Sequence, residues 1–68
     1  MAKFSTGDRV RWITTDGETE GTIVETRTED AVFEGQKFAA SDEDPIFIVE
    51  SEETGARAAH HAGALKKG

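Results

Sequence analysis

The sequence predicts a small all-β barrel of four to five short strands, and three observations support this fold class. Its 13 Leu, Ile, Val and Phe residues among 68 gather in short clusters rather than scattering along the chain. Glycine, proline or acidic residues bound each cluster, as is typical between strands. Several such runs at regular spacing, with one strong hairpin signal, favour a barrel over a helical fold.

The length of the chain sets the size of the core. A chain of 68 residues forms one domain, expected to span residues 1–68 with its core at about 5–65. Its 13 large apolar residues fall just under the ~20% level at which high net charge suggests disorder. Their clustering argues against a disordered chain, so we expect a thin but folded core.

The first strand is predicted over residues 9–14, where charged and apolar residues alternate. Successive side chains of a strand point to opposite faces. Val10 and Trp12 are therefore expected to face the core, while Arg9 and Arg11 lie together on the other face.

The return strand is predicted over residues 18–28. It follows Asp16-Gly17, the strongest hairpin signal in the chain, because both central positions of a tight primed turn favour Asn, Asp or Gly. Gly21 lies inside this strand, where glycine costs stability unless the chain bends or bulges. We interpret Gly21 as the site of a β-bulge.

The middle of the chain carries weaker signals. Residues 31–34 and 36–40 are predicted as short strands that Gly35 separates. Pro45 then opens a further strand, because the N–H group it lacks is not needed at a first strand position.

That further strand, residues 46–51, is the most apolar segment and is predicted to be central. Phe47 and Val49 are expected to face inward, which leaves Ile46 and Ile48 on the other face. An exposed apolar pair of this kind is typical of a protein-binding surface.

The C-terminal segment is predicted to hold one more strand at residues 56–60. Residues 61–65 are too short and glycine-interrupted for a stable helix, so we expect a single 3₁₀ turn with Leu65 plugging the barrel end. Residues 66–68 are expected to fray.

Four groups of residues together resemble a known family. They are Gly7-Asp8-x-Val10-x-Trp12, Gly17-x3-Gly21-Thr22-Ile23-Val24, Ala39-Ala40-Ser41-x2-Asp44-Pro45-x-Phe47-x-Val49-Glu50-Ser51, and Thr54-Gly55 with His60 and Leu65. On these residues nearly the whole chain resembles the largely bacterial, hypervirulence-associated Tudor-like domain family. The resemblance implies an SH3/Tudor-like barrel without an established biochemical activity. Phe47 stands where the family often has tyrosine, which removes a hydroxyl available for binding.

Composition excludes several kinds of chemistry. With no cysteine, the chain has no disulfide, thiolate metal site or cysteine nucleophile. No run approaches the ~18 apolar residues of a membrane span, and Met1-Ala2-Lys3-Phe4 lacks the apolar run of a signal peptide. We therefore expect a cytoplasmic protein that has no membrane partner.

No catalytic, metal or cofactor site is predicted. Ser41 has no candidate base, and Asp42-Glu43-Asp44 lacks the twelve-residue loop of a common calcium site. His60 and His61 are adjacent on a strand and point in opposite directions, so they cannot bind one metal ion as a chelating pair. We expect His60 to fix the end of the last strand through a hydrogen bond and His61 to be exposed.

An aromatic cage for a methylated cation is disfavoured. Such a cage needs several rings at one mouth, and a barrel this small needs most of its rings for the core. The available aromatic residues are Phe4, Trp12, Phe33, Phe38 and Phe47.

Two functions from different classes remain open. In the first, the domain binds an unknown protein or peptide through an exposed strand edge or the patch around Ile46 and Ile48, as a monomer or weak homodimer.

The second function is a nucleic-acid-associated barrel that uses Arg9, Arg11, Arg27 and Lys37. A net charge of −6 disfavours it, because phosphate binding needs local positive charge. Cross-strand ion pairs are the simpler expectation for these arginines. The paired strand supplies three candidate partners: Glu18, Glu20 and Glu25.

Overall fold

A computed structural model describes residues 4–15 and 17–68. These residues form seven strands and one 3₁₀ turn, which confirms the predicted all-β class and C-terminal turn. The elements are β1 (Arg9–Thr14), β2 (Gly17–Arg27), β3 (Ala31–Phe33), β4 (Gln36–Phe38), β5 (Ile46–Ser51), β6 (Arg57–His61), the 3₁₀ turn (Ala62–Ala64) and β7 (Lys66–Lys67).

Five strands form one antiparallel sheet in the order β6-β5-β2-β1-β7. β2, at 11 residues, is the longest. Its first part pairs with β1 and its second part pairs with β5, so one strand joins both halves of the sheet. β3 and β4 pair only with each other, in a separate two-stranded sheet.

The core lies on a single face of this five-stranded sheet, here called the inner face. Five core residues come from β1, β2 and β5, and two come from segments outside the sheet, so the sheet and these segments together enclose one small core, as in a small barrel. Phe4 and Phe47 meet edge to face, with ring centroids 5.8 Å apart and planes at 88°. The core residues are Phe4, Val10, Trp12, Ile23, Phe47, Val49 and Leu65. The inward positions predicted on β1 and β5 and the plug at Leu65 are confirmed.

Gly21 lies where β2 contacts both neighbours, opposite Val10 on β1 and Ser51 on β5. A Cβ atom there would lie 2.0 Å from the Glu50 carbonyl oxygen and 2.7 Å from a carbon of the Trp12 ring. Glycine is therefore required by close approach of the backbone and not by a bulge.

The predicted bulge at Gly21 is wrong. The pairing register shifts between Ile23 and Glu25, which places the irregularity at Val24. Sequence patterning missed it because a bulge at a β-branched residue leaves no mark in composition.

The predicted hairpin joins β1 to β2. Thr14 pairs with Gly17, which therefore belongs to β2 rather than to the centre of the turn, and Gly17 has a left-handed φ of 114°. Asp16, the other residue of the predicted turn, lies outside the described residues.

Residues 28–45, here called the insertion, leave the sheet after Arg27 and return to it at Ile46. These two residues are register partners, so the insertion begins and ends at one place. At its tip Glu34 and Gly35 have φ values of 51° and 78°, the two positive angles of a tight primed turn. The predicted break at Gly35 is the turn between β3 and β4.

The expected fraying of residues 66–68 is wrong. β7 pairs with Val10 and Arg11 of β1, and the Gly68 N–H donates to the Arg9 carbonyl over 3.2 Å. Backbone hydrogen bonding to a free strand edge orders this tail whatever its side chains are.

Gly21→Ala is expected to destabilise the domain by at least about 2 kcal/mol, because backbone and ring would have to move apart to admit a methyl group. Gly63→Ala is the matched control, since a Cβ atom there meets nothing within 4 Å. Urea denaturation of both variants measures the difference. Equal stability of the two would contradict the close-approach explanation.

Candidate functional site

The face of the sheet opposite the core, here called the outer face, carries most of the charged side chains of the strands. All four arginines lie within ion-pair distance of glutamates. The pairs are Arg9 with Glu20 and Glu52, Arg11 with Glu18, Arg27 with Glu25, and Arg57 with Glu50.

Arg9 makes the most extensive of these contacts. Its two terminal nitrogens reach the two carboxylate oxygens of Glu52 at 2.6 and 2.7 Å, and Nη2 also contacts Glu20 at 3.2 Å. The hydrogen bonds that Arg9 donates to Glu20, and in second place those to Glu52, raise the pKa of Arg9 above its ordinary value. One guanidinium therefore links β1, β2 and the turn after β5.

The predicted basic stripe is not assembled by the fold. Arg9 and Arg11 are adjacent on the outer face of β1, but Arg27 lies at the far end of β2, opposite Ile46. Lys37 belongs to the separate β3–β4 sheet. Cross-strand pairing is confirmed for Arg9 and Arg11, whereas the partner of Arg27 is two residues away on its own strand.

The predicted exposed patch at Ile46 and Ile48 is wrong. Both side chains are on the outer face as alternation requires, yet they are only 1% and 4% exposed. The insertion starts and ends beside Ile46, and the His61 Nε2–H donates to the Ala39 carbonyl across this face over 2.7 Å. Both isoleucines are therefore buried on a face that the alternation pattern marks as open, beside the segment that the His61–Ala39 hydrogen bond ties to the sheet.

The two adjacent histidines point in opposite directions, as predicted, but both are half-buried, and the predicted hydrogen bond belongs to His61 and not to His60. His60 lies opposite Phe47 on the inner face, and its ring centroid is 6.0 Å from that of Trp12. Burial lowers the pKa of His60. His61, and not His60, makes the hydrogen bond that ties a strand to its surroundings, and Asp44 lies 3.8 Å from its Nε2 atom.

β6 forms one edge of the five-stranded sheet. Its pairing partner is β5, and among the described residues its backbone makes no hydrogen bond to any other strand or loop. Sequence reasoning proposed a strand edge without saying which one, because edge position depends on strand order. The only local signal is the run of small side chains Ala58-Ala59.

A cleft of about 250 Å³ opens beside the start of β6, at the end of the barrel between the β1–β2 hairpin and the β5–β6 turn. Trp12 and Ala58 contribute apolar surface to it. The Thr19 and Ser51 hydroxyl oxygens lie 3.3 Å apart along its lining. The cleft is therefore a shallow surface with both apolar and polar lining residues, and it adjoins the β6 edge of the sheet.

Within residues 4–15 and 17–68, no group of three or more His, Asp or Glu side chains is arranged to hold a metal ion. The described residues also contain no helix long and apolar enough to cross a membrane.

A family model for the Tudor domain of hypervirulence-associated proteins matches residues 7–65. The chain belongs to this family. No curated protein and no solved structure matches it significantly. In this Tudor-like domain Phe47 is fully buried, so the absence of a tyrosine hydroxyl concerns the core and not an exposed surface.

The rings of this Tudor-like domain are divided between the core and the insertion. Phe4, Trp12 and Phe47 are buried in the core. Phe33 and Phe38 are half-buried on β3 and β4, away from the mouth of the barrel. Of the five rings, only Trp12 lines the cleft.

Ile48→Asp is expected to cost about 3–5 kcal/mol, since it places an unpaired carboxylate in a buried site. Val32→Asp is the matched control, because Val32 is 61% exposed and should change stability by about 0.5 kcal/mol or less. Thermal and urea unfolding of both variants measure the effect. A stable Ile48→Asp protein would mean that the insertion does not cover this face.

Stability should fall on mild acidification because of His60. Its folded pKa lies below the unfolded value of about 6.5, so the unfolded chain binds the proton first as the pH falls. The free energy of unfolding then decreases from about pH 6.5 until the pH passes the folded pKa of His60.

His60→Gln should flatten this part of the stability profile. Urea denaturation measures the free energy of unfolding of both proteins from acidic to alkaline pH. At alkaline pH the histidine is neutral, so any difference between the two proteins there is due to lost packing. A further difference that develops as the pH falls is due to protonation of His60. An unchanged slope in the variant would show that His60 does not cause the acid sensitivity.

Proposed function

We propose that this Tudor-like domain is a non-catalytic binding module that adds an extended segment of another protein to the edge of β6. The observation that carries the proposal is the outer edge of this strand, which pairs with no further strand among residues 4–15 and 17–68. A row of unpaired N–H and C=O groups is a template for a further strand, whose main-chain hydrogen bonds supply affinity.

The sequence of β6 favours this use of the edge. Natural edge strands are commonly protected by lysine, proline, a bulge or a covering segment. β6 contains neither lysine nor proline, its single arginine, Arg57, contacts Glu50 of β5, and it pairs with β5 in unbroken register from Arg57 to His61. The opposite edge, β7, offers only two residues.

Small side chains make the same edge accessible. Ala58 and Ala59 occupy the centre of β6 and are partly exposed. A methyl group leaves room for the larger side chains of an incoming strand on both faces of the extended sheet.

A non-catalytic role agrees with the surroundings of the hydroxyl and imidazole groups. The Ser41 hydroxyl accepts the Asp44 N–H over 3.1 Å, which is a turn contact. His60 packs against Trp12, and the Nε2 atom of His61 contacts a carbonyl. No arrangement of nucleophile and base is present among these groups.

Nucleic-acid binding through Arg9, Arg11, Arg27 and Lys37 has less support. Each of the three arginines already contacts a glutamate. A phosphate backbone would have to displace those carboxylates while approaching a chain of net charge −6.

Selection from a random peptide display library tests the edge proposal. We expect enriched peptides whose binding slows hydrogen exchange of β6 backbone amides. Ala59→Lys should lower the affinity of these peptides at least tenfold, because a long charged side chain on an edge strand hinders pairing with a further strand.

Ile13→Lys is the matched control, since it adds the same charge at a position that is 67% exposed on β1. It should leave the affinity nearly unchanged. If no peptide is enriched, or if enriched peptides protect amides elsewhere and ignore Ala59→Lys, the edge proposal is wrong.

A further inference from the structure

We infer that the segment accepted by β6 is apolar at its centre and basic at both ends. This inference rests on the proposed function, because it specifies the chemistry of the partner that the β6 edge accepts. It follows from where the unmatched charges of the domain lie relative to that edge.

The surplus negative charge is unevenly placed. Within the described residues, all four arginines contact glutamates, and those contacts use Glu18, Glu20, Glu25, Glu50 and Glu52. The remaining carboxylates contact no arginine and carry the surplus negative charge of the domain.

Two of the remaining carboxylates flank β6. Glu53 lies in the turn that leads into the strand, on the lining of the cleft, and makes no ion pair among the described residues. At the other end Asp44 is 67% exposed and lies 3.8 Å from His61, the last residue of β6. An extended segment along this edge would have a carboxylate near each of its ends.

The centre of the edge is apolar. Ala58 pairs with Val49 and packs against the core, while Ala59 pairs with Ile48 on the outer face. Side chains of an added strand alternate between these two faces. Apolar side chains at its centre would therefore lie over alanine methyl groups, and one of them would adjoin the cleft beside Trp12.

The length of β6 sets the spacing of the basic residues. The strand has five residues, which span about 14 Å at ~3.4 Å per residue. Glu53 precedes the strand by four positions and shares the cleft lining with Arg57, while Asp44 lies beside His61 at the other end. Basic residues about six positions apart on the partner would reach both, and this separation distinguishes the segment from a simple run of lysines.

A second copy of the chain fits this edge less well. Antiparallel pairing of β6 with itself would bring Glu53 of one copy towards the partner's Asp44, which is a like-charge contact. Each copy also carries a net charge of −6, and like charges across an interface disfavour association. Charge complementarity therefore favours a basic partner over self-association.

The test uses the peptides that display selection enriches on the wild-type domain. We expect them to carry Lys or Arg at two positions about six residues apart, with Val, Ile, Leu or Phe between them. Their affinity should fall as salt is raised, because exposed ion pairs are screened.

Charge variants show whether the flanking carboxylates recognise these peptides. The double variant Glu53→Gln with Asp44→Asn should lose at least fivefold in affinity at low salt. The double variant Glu29→Gln with Glu34→Gln is the matched control, because it removes two carboxylates from the insertion, and it should lose less than twofold.

The outcomes separate the two proposals. Neutral or acidic peptides that still depend on Ala59 would overturn the basic-segment inference and leave the edge function intact. The basic-segment inference would also be overturned, and the edge function left intact, if both double variants lost affinity equally. Peptides that bind away from β6 would overturn both. A concentration-dependent dimer that protects the β6 amides would replace the basic segment with a second copy as the occupant.

Discussion

The packing of the Glu50 carbonyl and the Trp12 ring against the bare Cα of Gly21 is the contact on which the rest of the structure depends. It lets β2 pair with β1 and with β5 at the same level of the sheet. The sheet can then curl around its inner face, and fewer than ten large side chains suffice to form a core. The strand order around this contact leaves β6 and β7 as the two edges of the sheet.

The alternation or clustering of apolar residues within a single segment was enough to predict β1 and β5. The charged and apolar alternation of residues 9–14 gave the limits of β1, and the apolar run after Pro45 gave those of β5. What depends on strand order was not predictable in this way. The bulge at Val24 and the pairing of β7 arise from contacts between segments distant in the chain, and the burial of Ile46 and Ile48 does not follow from alternation along one strand.

In the candidate site too, features within one hairpin were predictable from the sequence, whereas features that depend on strand order were not. The strand pattern predicted that glutamates of the paired strand would contact Arg9 and Arg11, and the ion pairs with Glu20 and Glu18 confirm it. The sequence could not show that Glu52 supplies the second carboxylate to Arg9, because Glu52 lies in a turn 43 positions away. Nor could it show that β6 is an edge. The predicted binding residues Ile46 and Ile48 are instead buried.

Because Arg27 and Ile46 are register partners, the insertion joins two points of the barrel that a tight turn could join directly. The length of the insertion is thus uncoupled from the pairing of β2 with β5. This position can tolerate a loop of different length or a grafted reporter domain, provided that the new segment still covers the two isoleucines. The segment between Arg27 and Ile46 is therefore an insertion site, at which new sequence can be added without altering the strand register.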